Sequence, residues 1–251
     1  MALGPSPDGR SRSTAQDLRA LSRRRLMSFL GRALAILRKD LKAEWRTKAR
    51  LSPMVFFILL MLLVFNFSFD LGGAALREIG PGTLWSSYVF ASLLSLSRSF
   101  ADERDNDALD ALLLAPGDRG AIYLGKMLGN LVFLLAVEIL SLPFFALFFN
   151  LSMGFFLIPL LAVFFLGSAC MASAGTLFAA LSNNMRLREL MMPLLLLPMI
   201  LPALISCVEA TGLVLANECC EKLFPHLQML GVYAVVFTVL SLMLFEYAIE
   251  E

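Results

Sequence analysis

Apolar residues in this chain fall in long unbroken runs, not in alternation with polar ones. Six such runs stand out: Pro53 to Phe69, about Thr83 to Leu96, Ile122 to Phe149, Phe155 to Leu181, Leu190 to Val208 and Leu227 to Ile249. A bilayer core needs about 20 apolar residues in helical form, and these runs predict six transmembrane helices. Barrel strands would alternate apolar and polar over about ten residues, and these runs do not. The second run is short and dotted with serine, so it is expected inside the bundle. The third is long enough to tilt or to bend at Pro143. The fourth carries a small-residue face at Gly167, Ala169, Ala172, Ala174 and Gly175 that permits close helix approach. The fifth contains Pro193, Pro198 and Pro202.

A different pattern precedes the runs. Over residues 28–51, Leu30, Leu34, Leu37, Leu41 and Trp45 recur at three- and four-residue steps, and Arg32, Arg38, Lys39, Lys42, Arg46 and Lys48 take most of the other face. An apolar stripe with a basic face and a Trp describes an amphipathic helix lying at the membrane interface. Residues 1–27 are rich in Ser, Gly, Pro and Arg and read as a disordered basic tail. The first long apolar run begins near Ser52, too deep for a cleavable signal. The fold class expected is all-α: a polytopic membrane protein of six helices behind an interfacial helix.

Composition supports this picture. Hydrophobic residues make up 59% of the chain and charged ones 16%, more apolar surface than a soluble domain of this length could hide. The net charge of +1 conceals an asymmetry, for residues 1–51 hold 13 Lys or Arg against 4 acids. That end suits an anionic membrane surface, and no nucleic-acid motif accompanies it. Counted by side, 19 basic residues fall in the N-terminal region, the second-to-third loop and the fourth-to-fifth loop, whereas only Arg77 and Lys222 fall opposite. The bias makes the richer side cytoplasmic, with both termini there.

Motifs for chemistry are few. There is no GxxxxGK[ST] loop, so no nucleotide site of that kind, and no HExxH, GxSxG or CxxCH; the chain does not read as an enzyme. Glu138 lies in mid-span in the third run, either as a functional carboxylate facing the interior or as a packing carboxyl bonded to Asn130 or a serine. Glu246 lies near the end of the sixth run. Cys170 and Cys207 fall in apolar stretches as packing residues. In the outer loop, a short interfacial helix is expected near Leu213 to Leu223. Glu218, Cys219, Cys220, Glu221 and His226 lie nearby, but adjacent cysteines and one histidine make a poor ligand set. No cofactor or metal site is expected on the chain itself.

The loop after the second run is more informative. It carries Asp102, Glu103, Asp105, Asp107 and Asp110, and then Ala108, Leu109, Leu112 and Leu113 as an apolar stripe before Pro116-Gly117. Acids suit a helix N-terminus, and the prolyl-glycyl pair ends a helix. A short acidic helix with an exposed apolar stripe suits a groove on a partner. The alternative is a loop helix resting on headgroups, where anionic lipid would repel the acids.

Several local sequences together resemble a known family. They are Leu37-Arg38-Lys39-Asp40-Leu41 continuing to Trp45 and Arg46, and Pro81-Gly82-Thr83-Leu84-Trp85. The most telling is Ser97-Arg98-Ser99-Phe100, then Asp102 to Asp105, then Ala108 to Pro116, with Tyr123 and Lys126 behind; Pro193, Pro198 and Pro202 complete the set. From about Phe29 to Ile249 the chain resembles the CcmB-type haem-exporter permease, the membrane subunit of the ABC complex of bacterial cytochrome c maturation. It departs from that pattern in Asp107, where a glycine is usual, in its longer tail, and in Cys219-Cys220.

The resemblance implies an ABC-exporter permease domain over residues 28–251 that forms a homodimer and binds a separate ATPase subunit, which holds the ATP. Asp102 to Leu114 would be the coupling element. Haem-handling membrane proteins would complete the complex and pass haem to a periplasmic chaperone. The permease would either export haem or transmit ATP-driven work that releases the loaded chaperone. The rival expectation is an ABC permease for another substrate, such as a lipid, glycan or drug.

Overall fold

The computed structural model describes residues 29–68, 73–99, 119–149, 157–182, 188–216, 218 and 220–248. Among these residues there are seven helices and no strand. We number them α1 (29–47), α2 (Leu51–Ser68), α3 (Gly73–Ser97), α4 (Gly120–Phe148), α5 (Leu157–Ser182), α6 (Arg188–Leu215) and α7 (Cys220–Ala248). Five of them, α2 and α4 to α7, contain stretches long and apolar enough to cross a membrane. The chain is a multi-pass α-helical membrane protein.

α3 is the exception among the six predicted spans. Its 25 residues are long enough to span, but Thr83, Ser87, Ser92 and Ser95 dilute its apolar character. All four are buried. Thr83, Ser87 and Ser92 donate back to carbonyls of their own helix, at 3.2, 2.7 and 2.7 Å. Hydroxyls satisfied in this way are tolerated inside a membrane bundle. α3 accordingly packs against α2, α4, α5 and α6, as expected for the serine-dotted run.

Several predicted boundaries are corrected. The interfacial helix stops at residue 47 rather than 51, because Lys48 adopts a left-handed conformation with φ 51°, a common way for a helix to end. α3 begins at Gly73, ten residues before Thr83, and runs through Pro81, whose ring faces Gly212 of α6. α6 continues past Val208 to Leu215, and α7 starts at Cys220 rather than Leu227. These two extensions take up most of the stretch where a separate helix at Leu213 to Leu223 was expected. Only Gly212 stands against the helix between Val208 and Leu215, and a single glycine costs about 1 kcal/mol, too little to end α6 there.

The small-residue face on α5 is used as predicted. A Cβ on Gly167 would collide with Trp85, and one on Gly175 with Leu96. Large α3 side chains thus enter where α5 has none. Trp85, Tyr88 and Phe164 form an edge-on aromatic cluster there, with ring centroids 5.7 to 5.8 Å apart.

Candidate functional site

The predicted coupling residues Asp102, Glu103, Asp105, Asp107, Leu109, Leu112 and Leu113 lie outside the described residues. Both feet of that segment are described, Ser99 after α3 and Arg119 before α4, and a buried polar network holds the first. The Lys126 ammonium, 2% exposed, lies 3.0 Å from Asp40 Oδ2 and donates to the Ser99 carbonyl at 3.0 Å. Asn130 Nδ2 donates to Ser99 Oγ at 3.1 Å and to Thr176 Oγ1 at 2.9 Å. Four helices therefore meet at Ser99: α1 through Asp40, α3 through its own end, α4 through Lys126 and Asn130, and α5 through Thr176.

The turn between α1 and α2 reinforces this junction. Glu44 Oε1 accepts from the backbone N–H groups of Arg50 and Leu51, at 2.8 and 2.9 Å. Its charge also suits the positive end of the α2 dipole. The Arg50 guanidinium donates to the Arg98 carbonyl at 3.3 Å, and Arg98 in turn donates to the Ala49 carbonyl at 3.4 Å.

α1 faces the bundle through Ala33, Ile36, Asp40 and Glu44, all buried, and not through the predicted stripe. Leu34 and Trp45 are exposed, Trp45 at 84%, and Leu37 and Leu41 are half-buried. At 3.6 residues per turn these four lie between the bundle-facing edge and the basic face of Arg38, Lys42 and Arg46. Close approach to α4 is possible because a Cβ on Gly125 would come within 2.8 Å of the Ala33 carbonyl oxygen and 2.9 Å of Ile36 Cβ. Asp40 and Glu44 were not foreseen as site residues. The available signal was their spacing, for two acids one turn apart in an otherwise basic helix invite a buried partner.

A second polar cluster lies deeper. Glu138 on α4 is 2% exposed and its Oε1 accepts from Ser168 of α5 at 2.6 Å. Its partner is thus a serine; Asn130 belongs to the network at Ser99. Tyr88 and Ser141 are bonded to one another at 2.9 Å beside the Glu138 carbonyl. At the opposite end of the bundle, His226 lies 3.5 Å from Glu209, and Lys222 pairs with Glu218. No group of three or more His, Cys, Asp or Glu able to hold a metal occurs among the described residues.

Sequence comparison places this architecture. Residues 31–250 match the family described as "CcmB protein". The chain belongs to the CcmB family. The match opens inside α1 and closes after α7, so Asp40, Glu44, Lys126 and Glu138 all lie in the family region. Among similar proteins, "Heme exporter protein B" of Rhodobacter capsulatus is 31% identical over 175 residues, 70% of this chain and 80% of the relative. That of Paracoccus denitrificans is 32% identical over 177 residues, again 70% and 80%. That of Pseudomonas aeruginosa is 28% identical over 171 residues, 68% and 76%.

Proposed function

We propose that the chain is the membrane permease subunit of a haem-exporting ABC complex of cytochrome c maturation. It sits in the bacterial inner membrane with both termini in the cytoplasm. Hydrolysis belongs to a separate ATPase subunit, which docks on Asp102 to Leu114 through the stripe of Leu109, Leu112 and Leu113. The observation that carries this reading is the network at Ser99. A segment that transmits force must be anchored rigidly where it leaves the bundle, and four helices converge on the residue at its foot. Movement of the segment would then tilt α3 and α4 together, a two-state element biased by the nucleotide state of the partner.

α1 fits the interfacial role. Its Leu34, Leu37, Leu41 and Trp45 would enter the lipid beside the bundle, with the basic face against anionic headgroups. A homodimer, haem-handling membrane proteins and, through them, a periplasmic haem chaperone complete the proposed assembly. Haem is cargo or is carried by those partners; no residue of this chain is assigned to it.

Replacing Leu109 and Leu112 by Asp tests the docking. The variant should insert in the membrane, lose the co-purifying ATPase and fail to support c-type cytochromes. Unchanged co-purification would remove the idea. An ABC permease for a lipid, glycan or drug is the second reading. It predicts normal c-type cytochromes in a deletion strain.

A further inference from the structure

α4 and α5 run antiparallel and share two polar pairs on one register, Asn130 with Thr176 and Glu138 with Ser168. Eight residues separate the pairs on each helix, about 12 Å along the axis. Buried Leu134 and Ala172 occupy the step between them. The two pairs differ in how well they are satisfied. Asn130 has partners on both Ser99 and Thr176, and Thr176 donates onward to the Ala172 carbonyl at 2.6 Å. At Glu138, one oxygen accepts from Ser168, but Oε2 is buried without any hydrogen-bond partner.

The groups around Glu138 explain this deficit. Ser141 donates to the Glu138 backbone carbonyl at 3.0 Å, and Tyr88 of α3 has Ser141 Oγ at 2.9 Å and the same carbonyl at 3.4 Å for its proton. Neither hydroxyl has a proton to offer Oε2. The other titratable neighbour is the buried thiol of Cys207 on α6. None of the ion pairs among the described residues includes Glu138. A carboxylate needs several donors and has one. An ionised group in that position would be a buried charge without a counter-charge, which proteins avoid by binding a proton.

We propose that Glu138 is a proton-binding site at mid-membrane, which keeps its proton in this arrangement and finds an acceptor for its Oε2 hydroxyl only when α4 shifts against α5. A half-satisfied buried network destabilises the state that contains it. Here the destabilised pair lies two turns beyond a fully satisfied one. Asn130 and Thr176 would act as the pivot, and the level of Glu138 would be the part that moves. The protonation state is read from the geometry alone, whereas its link to an ATPase cycle rests on the function proposed above.

Two measurements separate these parts. The infrared spectrum of the full chain in lipid nanodiscs at neutral pH should contain a carboxylic-acid carbonyl stretch that is missing from Glu138→Gln. Loss of carboxylate bands in its place would overturn the proposal, whatever the partner. With the ATPase bound and trapped by ATP and vanadate, that stretch should move to lower frequency as the hydroxyl gains an acceptor; an unmoved stretch overturns the switch. In cells, Glu138→Gln should support c-type cytochrome formation, since a neutral donor remains. Glu138→Met removes the orphaned oxygen, so the purified chain should melt at the same temperature or higher while cytochrome formation falls by about fivefold or more. Retained cytochrome formation in Glu138→Met, or its loss in Glu138→Gln, would contradict the proposal. A purely structural carboxyl would show lower stability in Glu138→Met and no such split.

Discussion

Lys126 shows how one side chain can tie a membrane bundle to the segment that emerges from it. Its ammonium is almost wholly buried and is held by a carboxylate from α1 and a carbonyl at the end of α3. Such a pair is a poor source of net stability, because desolvation offsets much of the attraction. Removing one partner of a buried pair is nevertheless costly, at about 3–5 kcal/mol, and Lys39, 3.4 Å from Asp40, tempers the loss on the Asp40 side. Asp40→Ala and Lys126→Met should therefore each lower the thermal unfolding midpoint of the purified chain. The double variant should lose much less than the two together, a coupling that a double-mutant cycle reads directly. Additive losses would mean that the pair does not act as a unit. In the sequence Lys126 was legible as a charge at a helix entry and useful for topology. Its partner was not legible, since Asp40 lies 86 positions away on a helix whose basic face drew attention elsewhere.

At the scale of the element, α1 has two faces that its sequence shows unequally. The Leu and Trp stripe announced an amphipathic helix, and the helix is there. Its packing face was hidden, because half of that face is acidic and periodicity arguments count apolar residues. Asp40 and Glu44 are buried because each meets a specific donor on another element, a contact that no local pattern encodes. Glu44 also fixes the turn into α2 by accepting two backbone N–H groups. Its replacement by Ala should cost about 0.5–2 kcal/mol, the range for loss of a helix cap, with the loss measured by thermal unfolding in detergent. α3 gives the converse case. Its serines and Pro81 made it look short, yet it runs for 25 residues, because its hydroxyls bond to its own backbone and the Pro81 ring meets a glycine.

On the scale of the whole molecule, hydropathy alone predicted the number and order of the long helices, because a bilayer demands a long apolar helix for each crossing. The ends of α6 and α7 were less legible. Glu209, Thr211 and Glu221 look like loop residues, yet they extend helices past the apolar runs. The network at Ser99 was invisible, since it assembles one or two residues from each of four helices. The family match covers all of these elements, and it joins the junction at Ser99 to the acidic segment that follows. In the proposed function that segment meets a nucleotide-hydrolysing neighbour.

Placing a photo-crosslinking amino acid at Leu112 in the full complex, in native membranes, tests that contact most directly. Irradiation should yield an adduct between this chain and the ATPase subunit, lost when Leu109 is also replaced by Asp. An adduct to lipid alone, with the ATPase present but unlabelled, would contradict the account.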